Sequence, residues 1–135
     1  MKSKARIQAP EPERKLVCKL VCPIDVGPLS PNTRVHWAVR HRRAKKVGDT
    51  CYAIWHKAGK PHASGPVLVT ITLRRSRKMD KDNALACCKS AIDAIFKARV
   101  TPDDGPDYVT FNPVVQVIGP QYRERPEVEF LVEDL

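Results

Sequence analysis

The sequence predicts an α+β protein in which two main helices pack on a mixed β-sheet, with elements in the order β-α-β-α-β-β. Three observations carry that expectation. The run VLVTITLRRSR, residues 67–77, is rich in β-branched residues and reads as a central strand. Two stretches, 33–59 and 83–98, repeat apolar residues at helical steps. Two further extended runs, YVTFNPVVQVIG and EVEFLVED, close the chain.

Taken in order, KLVCKLVCPI places Leu16, Cys18, Leu20 and Cys22 on one strand face and Val17 and Val21 on the other, with Pro23 ending the strand. The loop DVGPLSPNTR follows, and Asn32 or Thr33 is the expected cap of the first helix. Along that helix Trp37, Ala44, Val47, Cys51, Trp55 and Ala58 form one apolar stripe, and Gly48 is a candidate bend. GKPHASGP breaks the chain before the central strand. On the second helix Leu85, Cys88, Ile92, Ile95 and Phe96 fall within about 100° of one another and should face the core. TPDDGPD is a turn before the last two strands.

At 135 residues the chain is expected to form one domain over residues 15–135, preceded by a flexible basic arm, residues 1–14, rich in Pro, Glu, Lys and Arg. Its net charge of +9 is uneven. Residues 1–60 carry 14 Lys/Arg against 4 Asp/Glu, whereas residues 61–135 carry 10 against 11. A half so basic favours a polyanionic partner, nucleic acid first, with acidic membranes and acidic proteins as lesser alternatives. No apolar run of about 18 residues predicts a membrane span, and the N-terminal stretch lacks the apolar core of a secretory signal. Cys18, Cys22, Cys51, Cys87 and Cys88 are odd in number and show no C-x-x-C spacing, so reduced thiols in a cytoplasmic protein are expected.

Against this basic background, MDKDNALACCKSAIDAIFKARVTPDD gathers carboxylates at both ends of the second helix. With Leu85 as zero, Asp82, Lys89 and Asp93 lie at about +60°, +40° and +80°, a narrow strip beside the buried face. Asp80 stands just upstream and Asp104 just beyond the helix end. If the turn after the helix folds back, Asp80, Asp82 and Asp104 converge. Convergent carboxylates suit hard divalent cations such as Mg²⁺, which also take waters and substrate phosphate oxygens. Two such ions activate water and stabilise the leaving oxygen in phosphodiester cleavage. Lys89 would stabilise developing phosphate charge, and Arg74, Arg75, Arg77, Lys78 and Lys81 would neutralise the substrate backbone. A plainer account stands beside this one: aspartates cap helices, Pro-Asp-Asp-Gly-Pro makes turns, and Lys89 with Asp93 is an i, i+4 ion pair.

The ordered set Asp80-x-Asp82-Asn83, Lys89-x-x-x-Asp93 and Asp103-Asp104, preceded by RRSRK, resembles the RusA-type Holliday junction resolvases common in bacteriophages and prophages. SPNTRVHWAVRHRRAKK, with Asn32, Arg34, His36 and Trp37, is similar to the loop and first helix of that family. The resemblance runs from about residue 15 to 132. It implies a crossover junction endodeoxyribonuclease in which Asp80, Asp82 and Asp104 bind Mg²⁺, with Mn²⁺ able to substitute, and Lys89 is catalytic or contacts DNA. Asn83, Asp93 and Asp103 are the supporting members of the set. It further implies a homodimer that nicks opposed strands of a four-way DNA junction in recombination and repair, with no membrane partner. One departure is that Lys89 follows Asp82 by seven residues instead of four, and Ala86 holds the one-turn position. On a continuous helix both spacings keep the same face, with Lys89 about 4.5 Å farther along the axis.

Arg34, Arg40, Arg42, Arg43, Lys45 and Lys46 crowd the first helix and read as further DNA-backbone contacts. Trp37 and Trp55 share one helical face and are expected in core or dimer packing. The rival of another class is a non-catalytic, basic nucleic-acid-binding protein whose aspartates only cap and turn. A structural zinc protein is a third reading.

Overall fold

Strand and helix patterning leads to a sheet with helices on one face, seen in a computed structural model that describes residues 14–135. The arm expected over residues 1–14 lies outside the described residues except for Arg14. Strand β1 (Leu16–Cys22) is followed by a 3-10 turn at Gly27–Leu29 and helix α1 (Trp37–Lys57). Central strand β2 (Val67–Arg75) leads into two short helices, α2 (Lys81–Ala86) and α3 (Lys89–Phe96). Strands β3 (Val109–Phe111), β4 (Val115–Ile118) and β5 (Glu127–Asp134) complete the fold. The α+β class with a mixed sheet is therefore as expected, and the order differs in detail: the sheet has five strands where four were expected, and the second helix is split in two.

The sheet runs β1-β5-β2-β3, with β4 also pairing β2. β5 is antiparallel to both β1 and β2, so the last strand of the chain inserts at the centre. β3 and β4 lie parallel to β2 on its other edge, as a helical crossover from β2 requires. Expected as one strand, 108–119 is two, because Pro113 lacks an N–H for the ladder. Val69 pairs Phe111 and Thr72 pairs Val115, so the β3–β4 side carries one extra residue there.

Strand alternation sends Cys18, Leu20 and Cys22, Val69, Ile71 and Leu73, and Val128, Phe130 and Val132 to one buried face. Helices cover that face. Val47, Cys51 and Trp55 face inward from α1, and Phe96 of α3 stacks edge-on against Phe130 at 6.0 Å. The stripe predicted on the first helix holds at its centre and fails at both ends, where Trp37 and Ala58 are exposed. The helix begins at Trp37 behind His36, whose Nδ1 accepts from the Ala38 N–H at 3.1 Å, so neither Asn32 nor Thr33 is the cap. Trp37 in the first turn is 74% exposed, outside the core. Gly48 does not break α1; it sits where α1 passes α3, and a Cβ there would meet the Ala94 Cβ at 3.8 Å. Among the described residues no helix is long and apolar enough to cross a membrane.

Candidate active site

The second predicted helix is interrupted. Cys87 and Cys88 form a turn between α2 and α3, with the Cys87 N–H bonded to the Asn83 carbonyl and the Cys88 N–H to that of Leu85. Both thiols are fully buried and lie 3.1 and 3.3 Å from the Ala84 carbonyl oxygen. This break resets the helical phase, and a core face computed for one continuous helix misplaces Leu85. That residue is 42% exposed, whereas Cys88, Ile92, Ile95 and Phe96 are buried as expected.

Exposed Leu85 forms, with Ile92 and Phe111, the apolar wall of a cavity of about 510 Å³. Its polar groups are Asp82, Lys89 and Asp104. The path back to Asp104 is a tight return after α3. Ala98 adopts a left-handed φ of 64°, and the nearly fully buried Thr101 hydroxyl lies 2.6 Å from the carbonyl oxygens of Phe96 and Asp103. On the loop the exposed Asp103 folds back on its own backbone, its Oδ1 accepting from the Asp104 N–H at 2.7 Å. Lys89 donates to Asp93 at 2.7 Å and reaches Asp104 at 3.8 Å. The hydrogen bond to Asp93, with Asp104 acting behind it, holds the Lys89 ammonium above the ordinary lysine range. The i, i+4 pair is thus real, and it coexists with a second carboxylate across the cavity.

Asp80 is the N-cap residue of α2, and its carbonyl accepts from the Asn83 and Ala84 N–H groups at 3.0 Å. Its side chain makes no capping hydrogen bond, so helix initiation does not engage the carboxylate. It lies outside the residues lining the cavity. Among the described residues no three His, Cys, Asp or Glu side chains are gathered as a metal-holding group. The fold therefore brings Asp82 and Asp104 to one cavity and leaves Asp80 upstream of them. Two carboxylates lining one cavity match the usual protein share of a Mg²⁺ shell, whose remaining ligands are waters and phosphate oxygens. The donor set fits that ion in number and kind. Asn83 contributes backbone hydrogen bonds; its side chain forms none among the described residues.

Two smaller hollows flank this cavity. One, of about 230 Å³, shares Ala86 and Lys89 with it and runs to Pro31 and Arg40. The other, of about 360 Å³, shares Leu85 and Phe111 and carries Lys81 at its edge. A groove thus follows α2, with a cation at each end and the two aspartates between.

The predicted backbone contacts divide sharply. Arg74 donates to Glu127 at 2.7 Å and Glu129 at 2.8 Å, and the Glu129 bond first of all raises its guanidinium above the ordinary range. Arg75 donates to Asp25 at 2.9 Å and to the Arg77 carbonyl at 3.1 Å. Arg40 donates to the Ser30 carbonyl at 2.9 Å, tying the loop to α1, and Lys45 pairs with Asp49 at 2.7 Å. Arg34, Arg42, Arg43, Lys46, Arg77, Lys78 and Lys81 have no side-chain partner among the described residues.

Sequence reasoning missed Gln116, whose amide meets both polar groups of the Met79 backbone, 37 residues away. No local pattern marks it. All five cysteines are free and buried. Burial pushes the Cys18 thiol up to about 11, and the Cys22 hydrogen bond raises Cys51, so these two remain protonated packing groups. No protein-family model matches the chain, and no curated protein matches it.

Proposed function

We propose that this chain is a Mg²⁺-dependent, structure-selective DNA endonuclease of the RusA type that resolves four-way junctions, working as a homodimer in the cytoplasm. The observation that carries the proposal is the single cavity lined by Asp82, Lys89 and Asp104 within a groove that has cations at both ends. Asp82 and Asp104 would hold the ion, with Asp80 joining from the α2 N-cap. The chemistry that Mg²⁺ supplies when bound is polarisation of the scissile phosphate and of the attacking water.

The side chains of the cavity do the rest. Lys89, kept protonated by Asp93 and Asp104, offers a fixed positive charge to a phosphate entering the cavity. Leu85, Ile92 and Phe111 set an apolar wall beside these charges. Arg34, Arg42, Arg43 and Lys46 on and before α1, with Arg77, Lys78 and Lys81 before and within α2, neutralise backbone phosphates on either side. Water adds across one P–O bond per strand, leaving a phosphate and a hydroxyl terminus.

The test is a labelled synthetic four-way junction and a matched linear duplex, each with Mg²⁺ or EDTA. Paired nicks confined to the junction are expected, lost with EDTA. Asp82→Asn should reduce cleavage to background while junction binding is retained or tightened, because a repulsive charge leaves the groove. Tight binding without cleavage in Mg²⁺ or Mn²⁺ would overturn the nuclease reading. It would establish instead a non-catalytic binding protein, in which Lys89–Asp93 is only a helix-surface pair.

A further inference from the structure

After Arg75 the chain leaves the sheet and crosses to α2 through residues 76–80. This crossover has no strand ladder of its own. One side chain replaces it. On β4, Gln116 stands in register with Leu73 of β2. Its Oε1 accepts from the Met79 N–H at 2.9 Å, and its Nε2 donates to the Met79 carbonyl at 2.9 Å. A primary amide thus satisfies both backbone groups of one residue, as a neighbouring strand would.

Met79 is a strategic place for such a hold. It is followed at once by Asp80, whose carbonyl starts α2 and so fixes the turn that carries Asp82. The Met79 Sδ lies 3.6 Å from the Cys87 Sγ, in the turn that launches Lys89 two residues later. The clamp therefore ties β4 to both sides of the acidic site across a single residue.

We propose that Gln116 is a positioning residue of the nuclease centre, setting where Asp80 and Asp82 stand by clamping the Met79 backbone. This rests on the resolvase reading, and the experiment separates the two. Gln116→Leu keeps the bulk and removes both hydrogen bonds. Gln116→Glu keeps the acceptor for the Met79 N–H and removes the donor to its carbonyl. Val117→Ala, on the same strand, leaves the clamp intact and serves as control.

Three quantities are measured for each: kcat and KM of junction cleavage, Mn²⁺ affinity by calorimetric titration, and hydrogen exchange of the amides from Met79 to Asp82. For Gln116→Leu, kcat should fall about 10–100-fold, the range typical of groups that orient metal ligands. KM for the junction should stay within about twofold, Mn²⁺ affinity should fall with kcat, and exchange at Met79 to Asp82 should quicken. Val117→Ala should match the natural chain. If Gln116→Leu does not unfold cooperatively, Gln116→Glu is read in its place. Wild-type kcat and Mn²⁺ affinity in a folded clamp variant would overturn the proposal. If the natural chain cuts no junction, the resolvase reading falls and Mn²⁺ titration decides alone. Weaker Mn²⁺ binding in Gln116→Leu then upholds the clamp, and equal or absent binding in both chains overturns it.

Discussion

The cations of α1 and the paired arginines of β2, Arg74 and Arg75, look alike in sequence and are engaged differently by the fold. On β2, alternation fixes each arginine. Arg74 leaves the sheet on the face without helices, where Glu127 and Glu129 of β5 meet it. Arg75 points to the helix side, where Asp25 meets it beside the 3-10 turn. Both are about one-fifth exposed, so a partner carboxylate is physically required. On α1 Arg40 is held by the Ser30 carbonyl and Lys45 by Asp49, while the other cations fan over an exposed helix, where water suffices. Arg42 and Lys46 are exposed and unpartnered among the described residues. A run of cations stays free to meet an outside anion only where the backbone period leaves it in solvent.

The largest expected effect breaks this comparison on its structural side. Arg74→Ala strands Glu129, whose side chain is 12% exposed and keeps only Lys19 at 3.7 Å. Removing one member of a buried pair costs about 3–5 kcal/mol, and partial exposure reduces the expectation here to about 2 kcal/mol by urea unfolding. Junction affinity of the folded variant should change less than about threefold, since a neutralised guanidinium releases few counterions. Unchanged stability with a tenfold loss of affinity would make the open sheet face the DNA face and reverse the contrast.

The next effect breaks it on the other side. Arg42→Ala with Lys46→Ala should leave stability within about 0.5 kcal/mol, as exposed substitutions do. The slope of log affinity against log salt should fall by about 2, one unit per lost phosphate contact. An unchanged slope, measured by fluorescence anisotropy, would remove α1 from the DNA footprint.

The contrast also bears on how much was legible beforehand. Strand and helix existence followed from period and, for the central strand, from β-branched composition, and Cys18, Leu20, Cys22, Val47, Cys51 and Trp55 took their expected places. What escaped was long-range or phase-dependent. Nothing in EVEFLVED says that it inserts between β1 and β2, since strand order is decided by partners far away in sequence. The turn at Cys87–Cys88 was invisible because neither residue is a helix breaker. It undid the calculated position of Leu85 while still delivering Lys89 to the cavity. Motif order named Asp80, Asp82, Lys89 and Asp104 together; the fold lines one cavity with Asp82, Lys89 and Asp104 and leaves Asp80 outside it. Gln116 was not legible, because its only signal is a contact across 37 residues.

The smallest effect sharpens the comparison within α1 itself. Lys45 donates to Asp49 at 2.7 Å, and both side chains are about two-thirds exposed. With Arg42 at zero and about 100° per residue, Lys45 lies near −60°, Lys46 near +40° and Asp49 near −20°. Asp49 is therefore a lone carboxylate among cations on this strip. The pair has lysine N-terminal to the acid, the weaker orientation, so Asp49→Asn should cost only about 0.2–0.5 kcal/mol. Removing it frees Lys45 and deletes a repulsive charge, so junction affinity should rise about two- to threefold with a salt slope steeper by up to about 1. If affinity rises and the slope does not, the gain is long-range and Lys45 lies beyond the phosphates. If neither moves, the DNA track is bounded on the Lys46 side, and Lys45 belongs with Arg74 and Arg75 among the cations whose partner is this protein.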